Sequence, residues 1–381
     1  MDVMTEEKLV PKLRFREFQD DWEKNKLADV ATFYNSKRVA LTASDREKGE
    51  YPYYGASGII DYVKDFIFEG EYILLGEDGA NIVMRNSRLV FLAKGKFWLN
   101  NHAHIFQSKD SNTFLCEALE RINYTKYNSG TAQPKLNSDV VKKIQLHLPS
   151  FPEQQKIASF LSAVDKKLQQ LTKKKELLEE YKKGVMQKIF SQELRFKNDS
   201  GNNYPDWEEK KLGNELEHKS IRNKSNQVDL VLSVSNKKGF ISQQEQFRGH
   251  LVASKDVTNY KVVNKGEYAY NPSRINVGSI ARLDNFEKGI VSPMYVIFRL
   301  KNNLNPFFFD ALYSSHRFKY LIKIGCSGSV RDSLNFDDME KFEVKLPCIE
   351  EQKKIADFLS SLDSKIDLVS RKIENTKAFK K

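Results

Sequence analysis

Two long stretches of the chain place apolar residues at alternating steps of four and three, with Lys and Glu at most other positions. The first series is Ile157, Leu161, Val164, Leu168 and Leu171, and the second is Ile355, Leu359, Leu362, Ile366, Val369 and Ile373. Such a seam is typical of a helix that packs on another helix. Pro152 and Glu153 suit the first turn of such a helix. We therefore predict a helix from about Glu153 to Ser191, roughly 55–60 Å long, and a second helix in the same register.

The two stretches are closely similar in sequence. Leu148–Leu168 and Leu346–Ile366 share 12 of 21 residues without a gap. The likeness extends back through a Ser-Gly loop and a Leu-Pro pair, and to a Leu-Arg-Phe start followed by Trp, at Leu13 and Leu194. The chain is therefore one unit written twice, and each copy closes with its helix. Matching seams most simply pack on each other with the helices antiparallel; the alternative is that each helix packs on its own unit.

The region before each helix has the short apolar runs and turn residues of a strand-rich domain. In the first region, EYILLGEDG, NIVM and LVFLA are predicted strands and SNTFLCEALERINYT is a predicted helix. In the second, LVLSVS, GEYAYNP, GSIARL and IVSPMYVIFRL are predicted strands and PFFFDALYSSHRFKYLIKI is a predicted helix. We predict an α+β fold with a pseudo-two-fold internal repeat. Its parts are a mixed α/β domain at 1–148, a helix at 149–192, a second mixed domain at 193–346 and a second helix at 347–381.

Composition and charge narrow the class of protein. Hydrophobic residues make up 40% of the 381 residues, which indicates folded domains. No apolar run approaches the ~20 residues that span a bilayer, and the three scattered cysteines offer neither a disulfide framework nor a CxxC zinc pattern. These features predict a cytoplasmic protein with no membrane partner. The formal net charge of +11 favours a polyanionic partner, but it also fits a basic protein with no nucleic-acid role.

The motifs that resemble catalytic sites are incomplete. The segment AYNPSR resembles the Asn-Pro-Pro-aromatic motif of amino-methyltransferases, but Ser273 and Arg274 occupy its last two positions. YPDWEEK compresses nuclease-like Pro-Asp and Glu-x-Lys elements into seven residues. His102 and His104 would share one face of a strand, as metal ligands do, yet no second ligand cluster accompanies them. A Walker motif is absent. We therefore predict a binding protein rather than an enzyme, with no metal or cofactor of its own.

Loops of both regions carry the side chains that recognition of duplex DNA uses, namely Arg or Lys for guanine and phosphate and Asn or Gln for adenine. The predicted DNA contacts of the first region are Lys37, Arg38, Tyr54, Ser57, Asn101, Thr131, Gln133 and Lys135. Those of the second region are Lys237, Lys238, Arg248, Arg274, Asn276, Ser329 and Arg331. Each residue alone also fits an ordinary solvated loop. Their occurrence at corresponding places in both regions favours a DNA interface.

The helices supply the predicted contacts with other subunits. The predicted subunit-interface residues are Ile157, Leu161, Val164, Leu168, Ile355, Leu359, Leu362 and Ile366. They are chosen because an apolar seam of this spacing needs a partner to cover it.

The chain resembles the specificity (S) subunit of type I restriction-modification enzymes. The resemblance rests on the doubled LPxxxEQxKIAxFL helix start and on SGSVRDSLNFDDMEKFEVKLP, YGASGIIDY and NPSRINVGSIA, and it covers essentially the whole chain. It implies two target-recognition domains, separated by antiparallel helices, that each read half of a bipartite double-stranded DNA target. It also implies two partner methyltransferase (modification) subunits and restriction subunits that cleave and translocate. S-adenosylmethionine, ATP and Mg would then be bound by those partners.

Two functions of other classes stay open at this point. The chain is alternatively a fragment of a fused restriction-modification enzyme, or a coiled-coil scaffold with two protein-binding domains and no DNA role. The second helix ends at AFKK, whereas the first continues through VMQKIFSQ, so contacts by that end are not predicted. The target bases and the length of the gap are not predicted either, because the two recognition regions differ in sequence.

Overall fold

The computed structural model describes residues 13–130, 132–236, 238–243, 256–326 and 333–380. These residues fall into two compact units: unit 1 takes residues 13–167 with Lys380, and unit 2 takes residues 168–379. The boundary lies inside the first long helix, Phe151–Phe190: residues up to 167 belong to unit 1 and the later ones to unit 2.

Unit 1 is built on one large sheet. Its described elements are β1 (Glu23–Lys26), α1 (Leu27–Val30), β2 (Ala31–Phe33), β3 (Lys48–Gly55), β4 (Gly58–Val63), β5 (Phe68–Gly76), α2 (Asn81–Met84), β6 (Val90–Leu99), β7 (Ala103–Ser108), α3 (Asn112–Glu120), α4 (Ser138–Lys142), β8 (Gln145–Leu148) and the start of α5 (Phe151–Phe190). Six strands form a sheet in the order β2-β7-β5-β6-β3-β4, and β1 pairs separately with β8. Neighbours are antiparallel except β3 and β6, which are parallel.

The centre of this sheet is covered on both faces. Along β5, Ile73 and Leu75 face a core that includes Phe114 of α3, whereas Leu74 faces a second cluster that includes Phe97. Side chains alternate between the two faces of a strand, so consecutive apolar residues are explained by burial on both sides. The prediction of a strand at EYILLG is confirmed.

The predicted strand NIVM is wrong, because these residues form the short helix α2. The turn before it uses Gly79 at a φ of 104°, a left-handed conformation that glycine adopts readily. Arg85 ends α2 at a φ of 50°. Only Ile82 is buried, while Val83 and Met84 are exposed, so the apolar run did not indicate a buried strand.

Unit 2 follows a similar succession of strands and helices, with ten strands among its described residues against eight in unit 1, and it divides these strands among smaller sheets. Its described elements after α5 are β9 (Glu208–Lys211), β10 (Leu216–Lys219), β11 (Leu232–Ser235), β12 (Gly239–Ser242), β13 (Lys261–Asn264), β14 (Tyr268–Tyr270), β15 (Ile280–Arg282), β16 (Lys288–Val291), β17 (Val296–Leu300), α6 (Pro306–Ser314), α7 (His316–Gly325), α8 (Phe336–Glu340), β18 (Glu343–Leu346) and α9 (Ile349–Lys380). One sheet has the order β10-β17-β14-β15, and the pairs β11-β12, β13-β16 and β18-β9 are separate.

The helix predicted at PFFFDALYSSHRFKYLIKI is two helices, α6 and α7, divided at Ser315. Ser315 has extended backbone angles, and its side chain accepts a hydrogen bond from the backbone N–H of Phe318. Ser is a favoured N-cap for this reason. A single serine within an otherwise continuous apolar pattern therefore starts a new helix.

The long helices α5 and α9 run antiparallel within unit 2. Leu171 packs with Val369 and Ile373, and further along Lys182 Nζ lies 2.6 Å from Asp363 Oδ1. The beginning of α9 is buried in the core of unit 2. The apolar seam of α9 therefore packs on its own unit at the start of the helix and on α5 further along. The predicted α+β class with two similar domains and two long antiparallel helices is confirmed.

In each unit the arginine of the Leu-Arg-Phe segment is bound to a glutamate at the start of a long helix, α5 in unit 1 and α9 in unit 2. In unit 1, Arg14 Nε and Nη2 donate to the two carboxylate oxygens of Glu153, both at 2.7 Å. In unit 2, Arg195 Nε and Nη2 donate to Glu351 at 3.2 and 2.8 Å. Trp207 Nε1 also donates to Glu351, at 3.1 Å. We call each of these arginine–glutamate pairs a clasp. The clasps explain why the Leu-Arg-Phe and Glu-Gln sequences both occur in each copy of the repeat.

Candidate nucleic-acid interface

The loops predicted to contact DNA in unit 1 meet at one end of its six-stranded sheet. The backbone N–H of Asn100 donates to Tyr54 O at 3.1 Å, which joins the turn after β6 to the end of β3. The backbone N–H of Glu77 donates to His102 O at 2.9 Å, and Glu77 O accepts from the N–H of Leu136 at 2.7 Å. Segments far apart in the sequence are therefore joined at one edge by hydrogen bonds.

Arg38 lies at the centre of this edge, just after a 3-10 helix at Asn35–Lys37. Its Nη1 donates to Glu77 Oε2 at 2.6 Å and to Ala103 O at 2.8 Å. Its Nε donates to Asn35 O at 3.0 Å. The Arg38 side chain is only 15% exposed. The guanidinium is thus engaged with acceptors of the protein itself.

His104 lies beneath Arg38 and is fully buried. Its Nε2 is 2.7 Å from Leu136 O, and its Nδ1 is 3.0 Å from Asn35 Nδ2. A carbonyl can only accept and an amide nitrogen can only donate, so the ring is neutral with its proton on Nε2. Burial lowers the pKa of His104, in spite of Glu77 3.6 Å away. We call Asn35, Arg38, Glu77, His104 and Lys135 the Glu77 network.

Four predicted contact residues of unit 1 around this network are open to solvent, as is Lys135 within it. Lys37, Ser57, Asn101, Gln133 and Lys135 are exposed. The Lys135 ammonium is 3.7 Å from Glu77 Oε1, and its side chain is 49% exposed. The arrangement combines donors, acceptors and a positive charge on one surface, which is what contact with base edges and phosphates requires.

Tyr54 differs from these residues because its ring packs within an aromatic cluster. The ring centroid lies 5.5 Å from that of Phe97 and 5.9 Å from that of Phe91. Burial is the main cause that raises the pKa of Tyr54. The half-buried ring supports the end of β3, next to the exposed turn at Ser57.

In unit 2 two of the predicted loops also meet. Asn236 Nδ2 donates to Val277 O at 2.6 Å, which joins the turn before β12 to a 3-10 helix at Pro272–Val277. Asn271 caps that helix by accepting from the N–H of Ser273 at 3.1 Å. The predicted contacts on these loops, Lys238, Arg274 and Asn276, are exposed. Thr131, Lys237, Arg248, Ser329 and Arg331 lie outside the described residues.

The predicted subunit-interface residues have different surroundings along the helices. Ile157 packs against the core of unit 1, and Leu168 packs against the contact of Leu171 with Val369 and Ile373. Ile355, Leu359 and Leu362 are buried in the core of unit 2, whereas Leu161, Val164 and Ile366 are half-buried.

Glu77 was not predicted, although the sequence holds a signal for it. Gly-Glu-Tyr occurs at residues 70–72 and again at residues 266–268, and both glycines have a positive φ, at 128° and 82°. Counting onward from this match, Glu77 and Asp78 correspond to Ser273 and Arg274. This position, after a matched strand, is acidic in the first copy and not in the second. Such a difference indicates a residue that serves only the loop surface of unit 1.

The described residues offer little to hold a metal. His102 Nδ1 lies 2.8 Å from Asp78 Oδ2, while His104 is bound to a carbonyl and an amide. Within the described ranges there is no group of three or more His, Cys, Asp or Glu placed to hold a metal ion. In that same part of the chain no helix has both the length and the apolar character needed to cross a membrane.

The sequence matches a family model described as Type I restriction modification DNA specificity domain, twice, at residues 19–180 and 205–377. A Methanocaldococcus jannaschii protein named the type I restriction enzyme MjaVIII specificity subunit is 24% identical over 95% of this chain and 91% of its own. The Escherichia coli type I restriction enzyme EcoprrI specificity subunit is 27% identical over 40% of this chain and 38% of its own. The crystal structure of a type I restriction-modification S subunit from M. genitalium is similar in fold, with a TM-score of 0.62, 16% identity and 98% and 97% of the two chains covered.

Proposed function

Because the chain belongs to the type I restriction-modification DNA specificity family, we propose that it reads an asymmetric, bipartite DNA target for a methyltransferase and restriction complex. Each unit would read one half-site, and the helices would set the length of the gap. The chemistry of methylation and cleavage would belong to partner subunits, so this chain would be a non-catalytic subunit.

One observation carries the proposal: two units with a similar succession of strands and helices present different side chains on loops that correspond in sequence. In unit 1 the strand β5 leads into Glu77 and Asp78, and in unit 2 the strand β14 leads into Ser273 and Arg274. Asn, Gln, Lys and Arg side chains discriminate among base pairs in the major groove. Two different surfaces would therefore read two different half-sites.

The test is methylation mapping. The chain is co-expressed with the modification subunit encoded beside it, and the DNA is sequenced for methylated adenine. We expect a split, non-palindromic motif with a fixed gap. A stable complex that leaves DNA unmethylated would favour the scaffold alternative, and S-adenosylmethionine binding by the isolated chain would favour the fused enzyme.

A length variant tests the role of the helix. Four residues inserted after Lys173 add roughly 6 Å of helix, which is between one and two base-pair steps of about 3.4 Å. We expect the gap to lengthen by one or two base pairs while both half-sites stay unchanged. An unchanged gap in a complex that still methylates would contradict the proposed role of α5.

We place the docking surface for the modification subunits on the long helices. Leu177 and Tyr181 are one helical turn apart on α5 and are 51% and 53% exposed, so they form an adjacent apolar pair that a partner could cover. A shallow cleft of about 420 Å³ lies beside Leu177, and Gln170, Lys173, Lys174 and Leu178 also line it.

The docking proposal is tested by co-purification. The double substitution Leu177→Ser with Tyr181→Ser is expected to weaken co-purification of the modification subunit, whereas Glu180→Ser, an exposed neighbour, is expected to leave it unchanged. Equal recovery of the complex with both variants would place docking elsewhere.

A further inference from the structure

Arg38 has the residue type of a base reader, but its donors are already used. Nε holds Asn35 O, and the two hydrogens of Nη1 are accounted for by Glu77 at 2.6 Å and Ala103 O at 2.8 Å, with Asn101 O at 3.3 Å. A guanidinium has five N–H donors in a fixed plane. A bidentate contact with guanine needs two parallel donors on adjacent nitrogens. With Nε and Nη1 engaged, only Nη2 remains, and it cannot make that contact alone.

Glu77 connects the same loops by a second route. Its carboxylate accepts from Arg38 and lies 3.7 Å from the Lys135 ammonium, and its backbone bonds to His102 and Leu136. The next two residues continue the pattern, since Asp78 contacts His102 and the N–H of Gly79 donates to Pro134 O at 3.0 Å. One carboxylate therefore lies between the segments that carry Arg38, Asn101 and Lys135.

The neutral ring of His104 completes this support from below, by joining Asn35 to Leu136. Such buried, hydrogen-bonded groups fix the geometry of the residues above them. Asn101, Gln133 and Lys135, in contrast, have the exposure that contact with DNA demands.

We propose that Arg38 and Glu77 are positioning residues that hold the unit 1 loops in the arrangement needed to read one half-site, while Asn101, Gln133 and Lys135 make the contacts. This inference rests on the proposed function. The two possible roles of Arg38 have different consequences. Loss of a base reader weakens discrimination at one position of a half-site. Loss of a positioning residue weakens discrimination at every position that the loops read.

The test uses the complex with its modification subunit and the variants Arg38→Gln, Glu77→Gln and their combination. Methylation at every single-base variant of the target is compared with wild type. We expect discrimination to fall about tenfold or more at several positions of one half-site, equally for both single variants. The double variant should be no worse than either, because residues that act together are not additive. The other half-site should keep its full discrimination.

A matched control separates positioning from general destabilisation of unit 1. Glu120 accepts from Arg85 Nη2 at 2.7 Å and from the N–H groups of Leu89 and Val90, so it is an arginine-bound carboxylate in the same unit. Glu120→Gln is expected to lower the melting temperature comparably and to leave the motif intact. Arg38→Lys serves if Arg38→Gln does not fold: it keeps the positive charge but cannot reach all the acceptors of the guanidinium, so we expect the same broad loss.

The salt dependence of DNA binding gives a second readout. Loss of a phosphate contact reduces the slope of log affinity against log salt by about one, whereas loss of a positioning residue leaves it unchanged. Loss of discrimination at a single position in Arg38→Gln, a reduced salt slope, or an unaltered motif in Glu77→Gln would overturn the inference while leaving the proposed function intact. A wild-type complex with no split motif would overturn both.

Discussion

Units 1 and 2 place different chemical groups at the same position of a corresponding helix. In each unit a helix begins after a capping residue, Ser111 or Asn305, whose side chain accepts from the N–H three residues on. Five residues after the cap, unit 1 has Cys116 and unit 2 has Asp310. Burial raises the pKa of Cys116 to about 12, so the thiol stays neutral. Burial also raises the pKa of Asp310, to about 6.

The partners of these two groups show what the difference means. Asp310 lies 3.1 Å from Arg282 Nη2 and accepts from the hydroxyl of Tyr268 at 2.8 Å. Cys116 Sγ lies 3.9 Å from Arg88 Nη2, a much weaker contact. The Asp310 side chain is 29% exposed, so the similar folds tolerate either a buried thiol or a partly buried carboxylate at this position, provided that the charge is paired. The shared fold constrains the backbone more than the chemistry.

The clasps give the largest expected effect in this comparison. Glu351 accepts from Arg195 and Trp207, whereas Glu153 accepts from Arg14, and no partner for Trp22 Nε1 lies among the described residues. Glu351→Ala leaves buried donors unpaired and is expected to cost about 3–5 kcal/mol of unfolding free energy, measured by denaturant unfolding. Glu153→Ala is the matched variant and should cost less. Equal losses would contradict the extra role of Trp207.

The pH dependence of stability tests the contrast between Cys116 and Asp310. The folded-state pKa of Asp310, about 6, is above its ordinary value of 3.8. Its contribution to the unfolding free energy is therefore complete below about pH 4 and is lost as pH rises through about 6. We expect Asp310→Asn to remove a decline of about 3 kcal/mol over that range. Asp284→Asn is the control; the same decline in Asp310→Asn as in wild type would exclude Asp310 as its source.

Replacing Arg274 sharpens the comparison between the two loop surfaces. Arg274 is exposed and corresponds to Asp78, which is tied to His102. Arg274→Ala is expected to lose about 1–3 kcal/mol of discrimination at one position of one half-site, as measured by methylation of single-base target variants. Lys238→Ala, on the neighbouring loop, provides the comparison. Loss spread over both half-sites would show that Arg274 does not act as a local reader.

The ion pair between the helices gives the smallest expected effect. Lys182 and Asp363 are 26% and 53% exposed, and exposed pairs contribute about 0.2–1 kcal/mol. Asp363→Asn should lower the unfolding free energy by no more than this, and the difference should vanish in 1 M salt because the ions screen the pair. A larger, salt-independent loss would mean that the pair is more important than its exposure indicates.

The features predicted well from the sequence are those set by local periodicity. The first helix was predicted from about Glu153 to Ser191 and is found at Phe151–Phe190, because its seam and its first-turn residues both lie within one segment. The helical state of NIVM and the break at Ser315 were missed because a prediction from local apolar pattern does not distinguish between such alternatives. A run of four apolar residues fits a strand or a helical turn equally well, and one capping serine changes the outcome.

The role of Arg38 could not be predicted in the same way. The acceptors that engage it beyond the adjacent helix lie 39 to 65 residues away in the chain, and only the sheet brings them together. The sequence placed Arg38 on a loop next to other predicted contact residues but gave no sign that its donors are used internally. Glu77 was missed because it follows a buried strand, and only the repeated Gly-Glu-Tyr a few residues earlier marks its position.

The pairing of β1 with β8 has a mechanical consequence. Glu23 is opposite Leu148, and Lys26 is opposite Gln145, so the chain arrives at and leaves this ribbon at the same end. A force that separates the two ends would peel the ribbon one hydrogen bond at a time instead of shearing all of them together. Arg14 and Glu153 lie outside that end, so the clasp would bear the load first. In a pulling experiment on unit 1, the clasp would therefore set the force at which the ribbon begins to open.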